Sequence, residues 1–292
     1  MPLEIKVKTF GMAREEDQLK EISDKVQSSG REDILVFPEY GAYTIEGSQT
    51  AFAELSRISV RKRVSIITTL NLPSPDLPGA DPNVNYNTLF IFSRHGRIYS
   101  PQAKITPQSF EMRHLDESFP KMNVTPYSRL NQVTLRRSGQ NFSTFFFICS
   151  DLYALSLFGF EELKSDIICC PANFGNGAEA AAGGVIEYSV HSGLFQQGFY
   201  CNTYQNTKPD LVPLTVGYER VYETGAPGKS YDREEMKKRI WRSSAVYPDD
   251  EYCNFKSMLK LTRRGTFTVP KSRSLENHLE VKLGLYENVV EL

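Results

Sequence analysis

The sequence predicts an α/β fold, and three observations carry the prediction. Short apolar runs recur in EIKVKTF (4–10), DILVFPE (33–39), VSIITTLNL (64–72), STFFFIC (143–149) and DIICCPANF (166–174). Helical apolar spacing separates several of them. The order that results is β, α, β, α, β, hairpin, β, β, α, β, α, β, in which buried strands alternate with helices that pack on them.

EIKVKTF reads as the first strand. Across 14–29 the apolar positions Leu19, Ile22 and Val26 share one helical face, and Gly30 suits the position after its end. DILVFPE is short and apolar, a buried strand closed by Pro38 and Glu39. Phe52, Leu55 and Ile58 place a helix at 50–63, and VSIITTLNL is the next strand. A loop rich in Pro, Asp and Asn follows at 73–85. YNTLFIFS and RIYS read as a hairpin with Gly96 in its turn. Residues 105–126 hold three prolines without a steady period and read as a long loop, a feature often tied to function.

NQVTLRR and STFFFIC are strands, LSLFGFEELK (155–164) is a candidate helix, and DIICCPANF is a strand. GNGAEAAAGG (175–184) is a loop of small residues, 185–198 a helical stretch, and FYCNTYQN (199–206) a strand. Beyond it a helix is expected at 233–242 and a strand at 265–269. No linker or internal repeat divides the chain, so residues 1–292 read as one domain.

Composition excludes several function classes. The 292 residues are 40% hydrophobic and 24% charged, with a formal net charge of −1. That balance gives no general affinity for nucleic acid or for an anionic membrane. No stretch approaches the ~20 apolar residues of a membrane-spanning helix. The opening MPLEIKVKTFGMAREEDQ lacks the apolar run of a signal peptide, so a cytoplasmic location is expected. The cysteines, at 149, 169, 170, 201 and 253, are odd in number and include no CxxC. Neither a disulfide framework nor a zinc site is expected, nor any cofactor. Cys169 and Cys170 are adjacent, so a strand would point them to opposite faces, as packing residues.

Chemically capable residues fall at three strand ends, where active-site groups collect in open α/β sheets. DILVFPE ends in Glu39, the second arm of the hairpin ends near Lys104, and STFFFIC ends in Cys149. Taken singly each has a plain structural role, Glu39 and Lys104 as surface charges and Cys149 as a core residue. Taken with their flanking words they form a pattern. ILVFPEYG (34–41), YNTLFIFSRHGRIYSPQAKITP (86–107), FFFICSDL (145–152) and SDIICCPANFG (165–175) stand in the order and spacing of the nitrilase, or carbon–nitrogen hydrolase, superfamily, which this chain resembles over about residues 4–206. The resemblance implies a four-layer α-β-β-α sandwich, usually paired into homodimers. It also implies a Glu–Lys–Cys triad, carried here by Glu39, Lys104 and Cys149.

Those residue types suit cleavage of a non-peptide C–N bond in a linear amide or carbamoyl compound. A thiol needs its proton removed to attack a carbonyl, and a neighbouring ammonium favours the thiolate. Glu39 would take the thiol proton, return it to the leaving amine and then activate water against a Cys149 thioester. Lys104 and the Ser150 backbone N–H are candidate oxyanion donors, each worth roughly 3–4 kcal/mol in comparable hydrolases. The family's second glutamate is carried by Glu111 or Glu117, with Glu111 preferred from its placement in KITPQSFE. Ser150, Asn173 and Phe174 are candidate pocket residues, and Asp151 is expected to bond backbone N–H groups in the turn after the nucleophile. A pairing of Cys149 with His95, His114, His191 or His278 is the alternative catalytic arrangement.

The chain also departs from the family. Ser150-Asp151 stands where nitrile-cleaving members have Trp-Glu, which leans toward the amidase-like branches. The Arg-Ala-x-Glu-Asn word of those branches, expected on a helix, is replaced by LFQQG (194–198), and residues from about 207 to 292 diverge. Two other readings therefore stand beside the hydrolase. One is an acyltransferase that passes the acyl group to an amine, and the other is an inactive binding or scaffold protein.

Overall fold

The computed structural model describes residues 7–10, 12–13, 18–30, 34–74, 76–107, 111, 124–152, 161–174, 185–186, 189, 194–204, 260–261, 267–268 and 281–292. It is a mixed α/β structure built on two sheets that face each other. The first holds β1 (Val7–Thr9), β3 (Ile34–Val36), β4 (Ser65–Asn71), β5 (Asn87–Phe92) and β6 (Ile98–Ala103), in that order. Here β1, β3 and β4 are parallel, and β5 and β6 add an antiparallel hairpin. The second sheet runs β13 (Lys282–Leu285), β7 (Arg129–Arg137), β8 (Gln140–Phe146), β9 (Ser165–Ala172), β10 (Phe195–Tyr204) and β2 (Met12–Ala13), with β14 (Val290–Glu291) also paired to β7. A separate hairpin pairs β11 (Lys260–Leu261) with β12 (Phe267–Thr268).

The period of two along each strand sorts its side chains between layers. Ile34 and Val36 face Phe146, Ile148, Ile167 and Cys169 across the inter-sheet core. Leu35 and Phe37 face the other way, into a core shared with Ile22 and Val26 of α1 (Gln18–Ser28) and Leu55 and Ile58 of α2 (Ile45–Lys62). On the far face of the second sheet, Phe145, Phe147 and Cys170 pack with Leu163 and Ile186. Cys169 and Cys170 thus do point to opposite faces. Of the candidate helix at 155–164, residues 155–160 lie outside the described residues and Glu161–Leu163 form a short 3-10 turn; of the helical stretch at 185–198, residues 187–188 and 190–193 lie outside them, as does the helix expected at 233–242.

Most expected elements are in place, with informative shifts. α2 begins at Ile45, five residues before the expected 50, because Thr44 caps it and accepts the Gly47 N–H at 3.0 Å. The helical reading of 185–198 overruns at its end. Phe195–Gly198 belong to β10, where parallel pairing with β9 from Phe195↔Ser165 onward overrides an ambiguous local pattern. The LFQQG word is therefore strand rather than helix from Phe195 on. Within the divergent C-terminal region, β13 and β14 return to extend the second sheet along β7, and Val290 and Leu292 enter the inter-sheet core.

Candidate active site

Four strands deliver side chains to one buried point. Beyond β3, Phe37 N–H donates to Ile67 O at 2.9 Å and the Thr68 hydroxyl donates to Pro38 O at 3.1 Å, which anchors the Pro38–Glu39 step on β4. The Glu39 backbone N–H then donates to Ala172 O of β9 at 3.2 Å, so the end of one sheet is tied to the end of the other. Tyr40 follows with φ +63, an unusual backbone for a residue with a bulky side chain. Its N–H donates to the Thr69 hydroxyl oxygen at 2.9 Å, which fixes the turn.

Lys104 leaves β6 with its backbone N–H donating to Asn87 O at 2.9 Å. Cys149 follows β8 in a tight turn with φ +52, and Asp151 N–H closes that turn onto Ile148 O at 3.0 Å. Asp151 itself is wholly buried. Its Oδ1 accepts the N–H groups of Ile105 and Thr106 at 2.9 and 2.7 Å and the Thr106 hydroxyl at 2.9 Å, and its Oδ2 accepts Ile148 N–H at 3.2 Å. The expectation of a backbone-bonding Asp151 holds, and its reach is wider than its own turn. It joins the chain after Lys104 to the turn that carries Cys149.

Glu39, Lys104 and Glu111 form one ionic cluster away from solvent, each no more than 1% exposed. Lys104 Nζ donates to Glu39 Oε1 at 2.7 Å and to Glu111 Oε1 and Oε2 at 2.9 and 2.8 Å. The Tyr40 hydroxyl donates to Glu111 Oε1, and its ring lies 5.8 Å from Lys104 Nζ. Asn87 Nδ2 donates to Glu39 Oε1 at 2.7 Å. The Cys149 thiol lies close enough to the Glu39 carboxylate to lower its pKa. Glu39 Oε2 is buried without a partner in hydrogen-bond geometry.

The electrostatics follow from burial. Loss of water pushes Glu39 up to about 7 against the pull of Lys104. Burial works against the Lys104 ammonium too, but Glu111 and Glu39 outweigh it and hold Lys104 well above its ordinary range. Burial raises the Cys149 thiol far above its usual value and Glu39 adds to that, while Lys104 and the Asn173 backbone N–H pull the other way. The expected lowering by Lys104 is therefore present but outweighed by burial and by the Glu39 charge. Cys149 is a thiol at neutral pH, beside a base whose pKa is near neutrality.

The structure brings Glu39, Lys104, Cys149 and Glu111 together, and Glu117 lies outside the described residues. Asn173 reaches the site through its backbone, since its side chain accepts from Thr203. Phe174 packs in the same apolar cluster as Cys149. Ser150 is turned away from a pocket-lining role, because its hydroxyl donates to Thr106 O at 2.7 Å and so braces the Lys104 loop. His95 sits in the β5–β6 turn, at the far end of β6 from Lys104, and the other three histidines lie outside the described residues. Tyr40 and Asn87 were not singled out from the sequence, although both stand inside quoted words, directly after Glu39 and within YNT. Among the described residues no group of His, Cys, Asp or Glu is placed to hold a metal ion, and no helix is long and apolar enough to cross a membrane.

No family model matches the chain, and no curated protein matches it. Solved structures do. A cysteine-to-serine mutant of the Nesterenkonia AN1 amidase from the nitrilase superfamily is similar over 69% of this chain and 78% of its own, at 15% identity and a TM-score of 0.45. A glutamate-to-glutamine mutant of the amidase from Nesterenkonia sp. AN1, showing Michael addition of acrylamide at its active-site cysteine, is similar over 68% of this chain and 79% of its own, at 14% identity and a TM-score of 0.46. An N-terminal amidase is similar over 64% of this chain and 55% of its own, at 14% identity and a TM-score of 0.43.

Proposed function

We propose that the protein is a thiol-dependent carbon–nitrogen hydrolase acting on a linear amide or carbamoyl compound. The observation that carries this reading is the convergence of Glu39, Lys104 and Cys149, at the ends of strands from two sheets, with Glu111 from the segment after β6. A scaffold has no need to bury two carboxylates and an ammonium around a thiol, since such groups cost several kcal/mol each to desolvate.

Glu39 takes the Cys149 proton as sulfur attacks the substrate carbonyl carbon. Lys104 faces the oxyanion. Its three N–H donors are engaged by Glu39 and Glu111, so it answers the new charge by yielding one carboxylate contact. Glu39 returns the proton to the nitrogen as the C–N bond breaks, leaving a Cys149 thioester. Glu39, ionised again, then takes a proton from water as the water attacks the thioester, and the acid and the free thiol are released. Glu111 and Tyr40 hold Lys104 in place through both steps.

The test is alkylation of native protein by iodoacetamide with peptide mapping, followed by ammonia and amine release from a panel of amides and carbamoyl compounds. Cys149 should label faster than the buried Cys169, Cys170 and Cys201, and Cys149→Ala should abolish release. Labelling of Cys149 only after unfolding sinks the proposal, and an amine acceptor that outcompetes water turns it to acyl transfer.

A further inference from the structure

Glu39 has two oxygens in unlike surroundings. Oε1 accepts from Lys104 Nζ and from Asn87 Nδ2, both at 2.7 Å, while Oε2 has neither donor. We infer that Asn87 is a positioning residue, whose side-chain amide holds Glu39 Oε1 so that Oε2 alone stays open to exchange the proton with Cys149. The inference rests on the reading of Glu39 as the catalytic base.

Three features of Asn87 support it. It is fully buried at the start of β5, and asparagine is a poor strand residue. Its Oδ1 is buried without a partner, an unfavourable arrangement that the donor side of the amide must offset. The opposite amide orientation would set Oδ1 against the Glu39 carboxylate, so Glu39 itself dictates which atom faces it. The same residue also accepts the Lys104 backbone N–H at 2.9 Å, so one strand position registers the base through its side chain and the ammonium through its main chain. With Oε1 doubly occupied, the proton taken from the thiol resides on Oε2, the oxygen from which it is passed to the leaving amine.

The experiment is iodoacetamide labelling of Cys149 across pH in the full chain, comparing wild type, Asn87→Ala and Asn87→Asp, each alone and with Glu39→Gln. Asn87→Ala should slow labelling about tenfold or more, as expected for losing a hydrogen bond to a charged group. It should also move the acid limb upward, because the ionised form of Glu39 loses a donor. In the Glu39→Gln background the same substitution should add little. If Asn87→Ala does not fold, the isosteric Asn87→Asp carries the test, with a larger upward movement of the limb. Wild-type rates and limbs in either variant, or an equal loss in the Glu39→Gln background, overturn the inference alone. A wild-type Cys149 that labels no faster than Cys169 overturns the catalytic reading, and the inference falls with it.

Discussion

Burial holds Glu39 at about 7, and that value fixes the pH range in which it can accept a proton. Labelling of Cys149 and hydrolysis of an amide should both rise with pH through about 7, as Glu39 ionises, and then level. Lys104 is held well above its ordinary range, so it produces no alkaline fall near neutrality. A limb set instead by thiolate formation would lie far higher, and its observation in a pH–rate profile would refute the general-base assignment. The left-handed backbone of Cys149, at φ +52, costs about 1–3 kcal/mol, a strain that the turn after β8 holds in place. Cys169 and Cys170 instead lie in the regular backbone of β9.

Single turns and strand ends do the positioning. Asp151 joins the turn after β8 to the chain after β6 through four hydrogen bonds. Asp151→Asn keeps the shape and turns an amide N–H toward the Ile148 N–H. It should therefore lower stability to urea by about 1–3 kcal/mol, the usual result of leaving a buried donor unsatisfied. An unchanged midpoint would mean that the turn holds without it. These elements were unequally legible in the sequence. Apolar runs marked β3, β4, β5 and β9, buried along nearly their whole length, and the buried end of β8, and chemically capable residues after β3, β6 and β8 marked Glu39, Lys104 and Cys149. The start of α2 lies outside the apolar pattern because its first turn, Ile45 to Ser48, carries an exposed isoleucine, and the Thr44 cap sets it. β10 was read partly as helix, and β13 and β14 were not read at all, because these strands are specified by their partners β9 and β7 rather than by their own pattern. The role of Asn87 is not legible locally, since it lies in Glu39, 48 residues away in the chain.

The molecule as a whole carries a stability cost at its centre. Glu39 and Asp151 titrate at about 7 and about 6 in the fold, both above their values in the unfolded chain. A raised carboxyl contributes fully to stability below its unfolded value, and that contribution is lost as pH rises through its folded value. The two groups therefore oppose folding increasingly between about pH 4 and pH 7. Glu39→Gln removes one of them while leaving Lys104 paired with Glu111. Its melting temperature should match wild type at about pH 4, exceed it increasingly up to about pH 7 and then hold a constant margin, with activity lost throughout. A difference that stays constant with pH, measured by differential scanning calorimetry, would contradict this account.

The hydrogen bond from Glu39 N–H to Ala172 O, one of several that cross between the sheets, has a wider meaning for how the protein fails. The base hangs from one sheet and the thiol from the other, so the reacting pair measures the alignment of two bodies joined by apolar contact and by a few hydrogen bonds, among them those of Gln102 and Asn131 between β6 and β7 and those of Asp151 beside the site. A slip of one sheet past the other of about an ångström would leave every ladder intact and still part sulfur from carboxylate. Heat inactivation should accordingly begin several degrees below the loss of far-ultraviolet circular dichroism. In that interval the protein would be a folded molecule whose two halves have lost their common zero.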